Sequence, residues 1–386
     1  MTIESIIPEI QDAPGTHVLV IGVSDYLHFE GGKEPTKEGK SLQMEQLSAA
    51  ARSASEFAAW MLNEYNHSGS KLSSLRILLS PSPEEEIHPD IKSRLNDDYS
   101  ATIANTRSAI KSFREICDKH SENTVVVYVA GHGVQLTKSG SILLLNDCGS
   151  NEHLRILEGA LDMAGIHASF NHPGTAQKQF WFVDACRQKP SIARRFEDMD
   201  GALKLDVPDG IAECSPMFLA ATTGTEAYAR IGGMTLFSES LLWSLRGNNA
   251  SPPEDNFSDA WHVSVQGLVK RLGFHVKALA EAENAEQTVD PTGRLNDAVF
   301  HEYPEIPDVD LQIDLIPDAA NNKSKCSLRS DSYVLINEQV NWPITSKVDA
   351  GLYEIQVVSP ADFKSFNKFV SLMPPSANPK IDVTPS

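Results

Sequence analysis

A histidine and a cysteine each follow closely on an apolar run of the sequence. His132 stands between two glycines just after the run at 124–130, and Cys186 follows the run at 179–184. An imidazole can withdraw the proton of a thiol, and the thiolate then attacks a carbonyl carbon without any cofactor. Either residue alone is more often structural. As a pair after two similar runs, they indicate a catalytic dyad with Cys186 as nucleophile and His132 as base.

These two runs belong to a longer alternation of apolar runs and amphipathic stretches from Thr16 to about Tyr303. Such alternation is typical of a mostly parallel β-sheet covered by helices, so we predict an α/β domain with six strands. The predicted strands are His17–Val23, Leu75–Leu79, Thr124–Ala130, Gln179–Asp184, Met217–Thr222 and Leu295–Phe300. The predicted helices are Met44–Tyr65, Ile103–His120 and Phe237–Arg246. His132 and Cys186 then follow adjacent strands at the carboxyl edge of the sheet, where open α/β folds form clefts.

The pattern changes after Pro304. Short runs with period-two character follow, separated by Asn, Ser, Asp and Gly, which is typical of β-strands. With 386 residues and 41% hydrophobic content, the chain can bury one large core and a smaller second one. We therefore predict two domains: 1–303, with a core from about residue 14, and 304–386, a small β-sandwich-like accessory domain that binds a partner, positions the substrate or packs over the cleft.

The composition limits the classes of binding partner that we expect. The formal net charge of −19, from 52 acidic and 33 basic residues, argues against nucleic acid or anionic lipid and favours a basic protein or peptide. No apolar run approaches the roughly 18 residues of a membrane span, so we expect no membrane partner and a cytoplasmic location. The five cysteines form no C-x-x-C pair, which suggests neither a disulfide framework nor a zinc ribbon.

Four segments together resemble the caspase-like cysteine peptidases, the group of caspases, metacaspases and their bacterial relatives. The segments are Val20–Tyr26, Ala130–Gly133, Val183–Arg187 and Leu236–Leu242. The resemblance implies the caspase-like three-layer α/β sandwich and a cysteine endopeptidase in which His132 is general base and acid and Cys186 is the nucleophile. The tetrahedral oxyanion needs two donors, for which we expect the backbone N–H groups of Gly133 and Cys186. The caspase signature Q-A-C-[RQG]-G is met only in part, since Asp184 replaces its Gln and Gln188 its last Gly.

Asp184 is the candidate for substrate recognition. It precedes Cys186 by two residues, so along a strand it points to the same face and would pair with a substrate Arg or Lys. The alternative is a strand-end aspartate that accepts backbone hydrogen bonds. The resemblance to metacaspases also implies a specificity aspartate here. Asp147 and Asp25 are further candidates for substrate binding, or else turn residues.

Arg52 departs from the family pattern, since it stands in the segment that usually carries a second acid. If Arg52 entered the pocket, an acidic or uncharged substrate residue would become possible. The acidic run at 84–86 lacks the spacing of a calcium loop, so although some metacaspases need calcium, we expect no cofactor and no metal.

The segment from Arg187 to Ser215 is long for a simple connection and contains Arg194 and Arg195. The resemblance implies a zymogen-like linker, so we expect autocatalytic cleavage after one of these arginines; the alternative is a solvated basic pair. It also implies regulatory cleavage of protein substrates, activation by an upstream protease or regulatory protein, and a part in bacterial defence or cell death. The competing function is a catalytically silent caspase-like scaffold or partner-binding module.

Overall fold

The computed structural model describes residues 3–95, 98–135, 141–171, 174–186, 202–203, 205, 212–222, 227–230, 232–321, 323–330 and 334–385. The strands in chain order are β1 (Thr16–Val23), β2 (Leu72–Ser80), β3 (Thr124–Gly131), β4 (Gly133–Gln135), β5 (Ser141–Leu144), β6 (Ala160–Asp162), β7 (Lys178–Ala185), β8 (Ser215–Leu219), β9 (Trp261–Ser264), β10 (Asp290–Arg294), β11 (Val299–Tyr303), β12 (Asp308–Ile316), β13 (Lys325–Arg329), β14 (Val334–Gln339), β15 (Ile344–Asp349), β16 (Gly351–Val358), β17 (Phe366–Leu372), β18 (Ser376–Ala377) and β19 (Lys380–Asp382). The α-helices are α1 (Lys37–Ser41), α2 (Ala50–Asn63), α3 (Pro89–Lys92), α4 (Ile103–Cys117), α5 (Met163–Ser169), α6 (Leu236–Trp243) and α7 (Val265–Ala282).

A six-stranded sheet in the order β10-β8-β7-β3-β1-β2 forms the centre of the first domain. Five strands are parallel, and β10 joins β8 antiparallel at the edge. The predicted α/β fold with a mostly parallel six-stranded sheet is thus confirmed. The predicted sixth strand, Leu295–Phe300, is wrong in position: Asp290–Arg294 occupies that edge, and part of the predicted run belongs to β11. An exposed edge strand needs no apolar run, so β10 left no signal in the sequence.

Helices cover both faces of this sheet. On one face Phe57 of α2 stacks on Tyr128 of β3, with ring centroids 4.7 Å apart. On the other, Ile110 and Phe113 of α4 share a core cluster with Val127 of β3. Because neighbouring residues of a strand point to opposite faces, Val127 and Tyr128 assign α2 and α4 to different layers. The result is the three-layer arrangement that the sequence indicated.

The start of α2 is fixed by side chains from outside the helix. Ala50 and Ala51 donate their backbone N–H groups to the Ser24 hydroxyl at 3.1 and 3.0 Å. A carboxylate oxygen of Glu85 accepts from the Arg52 N–H at 3.2 Å. Acceptors at the first N–H groups of a helix satisfy donors that have no partner within it. The helix therefore begins at Ala50, not at Met44 as predicted.

Contacts group the chain into two units. The first contains the residues up to Leu242 and Ser264–Glu302; the second contains Trp243–Val263 and the residues from Tyr303 onward. In the second unit, β15-β12-β18 and β14-β13-β16-β17 form small sheets, and β19 also pairs with β12. Alternate residues of β12 are buried, which accounts for the period-two pattern of its sequence. None of the helices in the described ranges is both long enough and apolar enough to span a bilayer.

Candidate active site

His132 and Cys186 leave the sheet side by side. Gly131, the last residue of β3, pairs with Ala185, the last residue of β7, in parallel register. His132 directly follows Gly131, and Cys186 directly follows Ala185. Adjacent strands lie about 4.8 Å apart, so the register brings the two residues together at the carboxyl edge of the sheet.

His132 is held by two groups that the sequence did not reveal, one at its backbone and one at its imidazole. Its backbone N–H donates to the Tyr26 hydroxyl at 2.7 Å, and the Tyr26 ring lies 4.9 Å away, centroid to centroid. Its Nε2 lies 2.7 Å from the backbone carbonyl oxygen of Glu45. A carbonyl oxygen only accepts, so Nε2 must carry the proton, and Nδ1 of the neutral ring keeps the lone pair. Burial lowers the pKa of His132 below its ordinary value of 6.5, which favours this neutral form.

The Glu45 carbonyl is positioned by the residue that follows it. The Gln46 side chain accepts from the Tyr26 N–H at 2.7 Å and donates to the Tyr26 carbonyl at 3.0 Å. Leu47 donates its N–H to the Ser24 carbonyl at 2.9 Å. These bonds fix the segment before α2 against the end of β1, so Tyr26 and Glu45 form one support for the imidazole.

Gly133 packs against the backbone of the nucleophile. A Cβ built there would lie 2.1 Å from the Cys186 carbonyl oxygen and 2.8 Å from the Cβ of Ala185. Both distances are far below contact, so a side chain at 133 would force the two strand ends apart. The close approach explains why this position is a glycine. A role for its N–H in an oxyanion hole stays a prediction.

Cys186 differs from the other four cysteines because its side chain is partly exposed, whereas theirs are buried. Burial raises the pKa of each of those four thiols: Cys117, Cys148, Cys214 and Cys326. The Cys186 sulfur contacts the backbone of Ala227: the Ala227 N–H donates to Sγ at 3.3 Å, and Sγ lies 3.7 Å from the Ala227 carbonyl oxygen. An N–H donor stabilises the thiolate form.

Asp184 is 2% exposed, and its two oxygens differ. Oδ2 accepts from the hydroxyls of Tyr128 at 2.9 Å and Ser238 at 3.0 Å, and also from Thr235. Oδ1 has no hydrogen-bond partner among the described residues. The donors are side-chain hydroxyls rather than the backbone amides of the alternative interpretation. Burial raises the pKa of Asp184 from 3.8 to about 6, although the three hydroxyls oppose that rise.

The protein-family model for the caspase domain matches residues 16–291 of the 386-residue chain. The chain belongs to the caspase-domain family of peptidases. No curated protein matches it. Membership makes it part of a family of cysteine peptidases, and the thiol and imidazole at the sheet edge are the residue types that such chemistry needs.

Arg52 and Ser53 of this caspase domain contact the segment before α6. The Arg52 guanidinium donates to the Gly232 carbonyl at 2.6 Å. The Ser53 hydroxyl accepts from the Thr235 N–H at 3.0 Å. The bonds of Arg52 thus direct it to the backbone of Gly232, and Ser53 supports one of the hydroxyl residues around Asp184.

The other two predicted substrate-binding residues, Asp147 and Asp25, contact other groups of the protein. Both carboxylate oxygens of Asp147 accept from the Ile103 N–H, at 3.0 and 3.1 Å, where α4 begins. Asp25 lies 3.8 Å from the Lys33 ammonium group. A substrate role for Asp147 and Asp25 stays a prediction. The predicted processing residues, Arg194 and Arg195, lie outside the described residues.

Glu85, the central residue of the acidic run at 84–86, accepts hydrogen bonds from several parts of the fold. Glu85 accepts from the Ser24 hydroxyl at 2.9 Å and from the Ser82 N–H at 2.8 Å, besides its bond at the start of α2. Across the described ranges, the His, Cys, Asp and Glu side chains form no group of three or more that could hold a metal ion. The expectation that no cofactor is needed stays a prediction.

Proposed function

We propose that this chain is a cysteine endopeptidase that cleaves protein substrates after Arg or Lys, with Cys186 as nucleophile and His132 as base. The observation that carries the proposal is the Asp184 carboxylate, two residues before the nucleophile, with one oxygen held by three hydroxyls and the other unpartnered. A buried carboxylate is costly unless a cation or donors satisfy it. A substrate guanidinium or ammonium group supplies the missing donor.

The proposed reaction uses the tautomer that Glu45 imposes. His132 takes the thiol proton on Nδ1 while Nε2 stays bonded to the Glu45 carbonyl. The Cys186 thiolate attacks the substrate carbonyl, and the backbone N–H groups of Gly133 and Cys186 receive the oxyanion. His132 then gives its proton to the leaving amine, and water attacks the acyl-enzyme with His132 again as base.

We further propose that the cleavage is regulatory and takes place in the cytoplasm. Support for a protein partner comes from the net charge of −19, which attracts basic polypeptides and disfavours nucleic acid and anionic lipid. Resemblance to bacterial relatives supports an upstream protease or regulatory protein as activator, cleavage of the linker after Arg194 or Arg195, and a part in defence or cell death.

The test uses fluorogenic peptides that differ only in the residue before the cut: Arg, Lys, Asp or Leu. The full chain and its Cys186→Ala variant are compared. We expect Cys186-dependent turnover of the Arg and Lys peptides alone. Preference for Asp or Leu would keep the peptidase and refute the role of Asp184.

If no peptide is cleaved, labelling by a peptide chloromethyl ketone decides between the proposal and the silent scaffold. An aligned thiolate reacts faster than an ordinary thiol, so selective labelling of Cys186 supports an enzyme that awaits activation. Labelling no faster than that of free cysteine would support the scaffold.

A further inference from the structure

A β-hairpin lies directly before α6. Its described residues are 227–230 and 232–235, and we call these residues the site hairpin. The Leu236 N–H donates to the Tyr228 carbonyl at 2.9 Å, and antiparallel bridging joins the two arms. All of its described residues belong to the first unit.

The two arms of the site hairpin contact the two groups on which the proposed function rests. Ala227, in the first arm, bonds to the Cys186 sulfur through its N–H. Thr235, in the second arm, donates its hydroxyl to Asp184. A shift of the hairpin would therefore disturb the surroundings of the nucleophile and of the carboxylate together.

Few buried side chains hold the site hairpin in place: among its described residues only Thr235 is buried, and Ala229 is exposed. Its anchors are polar. Arg230 donates from Nε to the Glu283 carboxylate at 2.7 Å and from Nη1 to the Glu239 carboxylate at 2.5 Å. Further anchors are the Arg52 bond to the Gly232 carbonyl and a bond from the Tyr228 N–H to the Gln287 side chain.

The two partners of Arg230 lie on different helices. Glu239 is in the first turn of α6, and Glu283 caps the carboxyl end of α7. Both helices bury apolar residues, and Glu239 and Glu283 both belong to the first unit. A planar guanidinium that bonds two carboxylates through different nitrogens fixes an orientation as well as a distance. Arg230 thus bonds the site hairpin to both α6 and the end of α7.

We propose that Arg230 is a positioning residue that, through its ion pairs with Glu239 and Glu283, holds the site hairpin against Cys186 and Asp184 in the geometry that substrate binding requires. This inference rests on the proposed function for its effect on catalysis. Its structural part, the contact of the held hairpin with the thiol, is testable without any substrate.

The experiment compares the full chain with its Arg230→Ala variant in two assays. The first is the rate at which iodoacetamide, a small reagent, alkylates Cys186, with Cys186→Ala as the blank. The second is turnover of the Arg peptide, separated into kcat and KM. Loss of the ion pairs releases the Ala227 N–H from the sulfur, and this N–H is a donor that stabilises the reactive thiolate, so we expect alkylation to become several-fold slower.

Turnover is expected to fall as well. A misplaced Thr235 disturbs Asp184, so kcat/KM for the Arg peptide should fall at least about tenfold, mainly through a higher KM. Arg230→Lys keeps the charge and should recover part of the loss. The variant Glu239→Gln with Glu283→Gln should reproduce Arg230→Ala, and combining all three changes should add little, because the groups act as one unit.

Salt gives an independent readout, because Arg230 and its partners are 32–47% exposed and their ion pairs are screened. High salt should slow alkylation of the unsubstituted chain and leave that of Arg230→Ala unchanged. The matched control is Lys277→Ala, which removes an exposed ion pair with Glu281 on α7 and should change neither assay. Thermal unfolding checks that each variant is folded.

The outcomes separate the two proposals. Unchanged or faster alkylation in folded Arg230→Ala overturns the positioning role, whatever happens to the peptides. Faster turnover in that variant also overturns it, because the hairpin would then obstruct the site. If the unsubstituted chain cleaves no peptide but alkylation responds as expected, the proposed function fails and the anchoring of the hairpin stands.

Discussion

Replacing Asp184 by asparagine tests whether the buried carboxylate destabilises the fold in return for recognition. Asparagine keeps the shape and the acceptor oxygen for the three hydroxyls but cannot ionise. Burial raises the pKa of Asp184 from 3.8 to about 6. Each pKa unit corresponds to about 1.4 kcal/mol, so the ionised carboxylate destabilises the fold by about 3 kcal/mol.

The sign follows from proton binding. Between pH 3.8 and about 6 the folded chain holds the Asp184 proton while the unfolded chain has lost it. The free energy of unfolding due to this group therefore falls as pH rises through that window and stays low above it. We expect Asp184→Asn to have a free energy of unfolding about 3 kcal/mol higher than the unsubstituted chain at pH 8, and about equal at pH 4.

Urea unfolding at pH 4 and pH 8 measures both values. Tryptophan fluorescence reports on the first unit through Trp60 and Trp181, which are buried there. The matched control is Asp255→Asn, which changes an exposed aspartate and should show no such pH-dependent difference. The same Asp184→Asn protein should lose cleavage after Arg and Lys while Cys186 remains open to alkylation.

The opposite difference in stability would contradict the cost assigned to the buried carboxylate. If Asp184→Asn is less stable than the unsubstituted chain at pH 8, the hydroxyl bonds to the carboxylate outweigh its burial. The ionised group would then be satisfied by the protein itself, and nothing in its energetics would favour a substrate cation.

Three other substitutions address the base, its support and a helix cap. His132→Ala should lower kcat/KM of the Arg peptide about 10²–10⁴-fold, as loss of a general base does, without unfolding the chain. Gln46→Ala should lower kcat in the peptide assay with KM nearly unchanged, because the Glu45 carbonyl would no longer fix the imidazole. Met44→Ala changes a neighbouring residue and is the control. An equal loss of kcat in Met44→Ala would contradict the role of Gln46. Asp147→Ala should lower the free energy of unfolding by about 1 kcal/mol through loss of a cap on α4, with the preference among the four peptides unchanged. A changed preference there would restore the predicted substrate role of Asp147.

The central sheet could be predicted because its strands are buried on both faces. All eight residues of β3 are buried, and such strands read as continuous apolar runs. The edge strand β10 has three exposed residues among five and contains proline and glycine, so the same criterion missed it. Helix α7 was also missed, although its buried Leu268, Leu272 and Val276 have the four-residue spacing of one helical face.

Tertiary contacts decided where α2 begins. The apolar spacing from Met44 suited a helix, but the segment before Ala50 makes bonds to the end of β1 instead. Gln46 brackets the backbone of Tyr26, and a helix through Gln46 would withdraw those bonds. Local propensity is a weak prior beside such contacts.

The chemically distinctive side chains of the site were visible in the sequence, whereas their supports were not. His132, Cys186 and Asp184 stand at the ends of apolar runs, and residue type gives each a chemistry. Glu45 and Ala227 contribute backbone atoms, which every residue type has. Their identity carries no signal, and only the fold brings them to the imidazole and the sulfur.

The proposed specificity depends on residues from several parts of the chain. The hydroxyls around Asp184 come from β3 and from the segment at the start of α6, so the environment of the carboxylate is assembled from distant parts of the chain. An aspartate at this sequence position is therefore insufficient by itself: the unpartnered Oδ1 exists because three donors converge on Oδ2. Removing the Thr235 hydroxyl alone, as Thr235→Val, should raise the pKa of Asp184 further and move the acid limb of Arg-peptide cleavage to higher pH. An unmoved acid limb would show that the ionisation of Asp184 does not control cleavage.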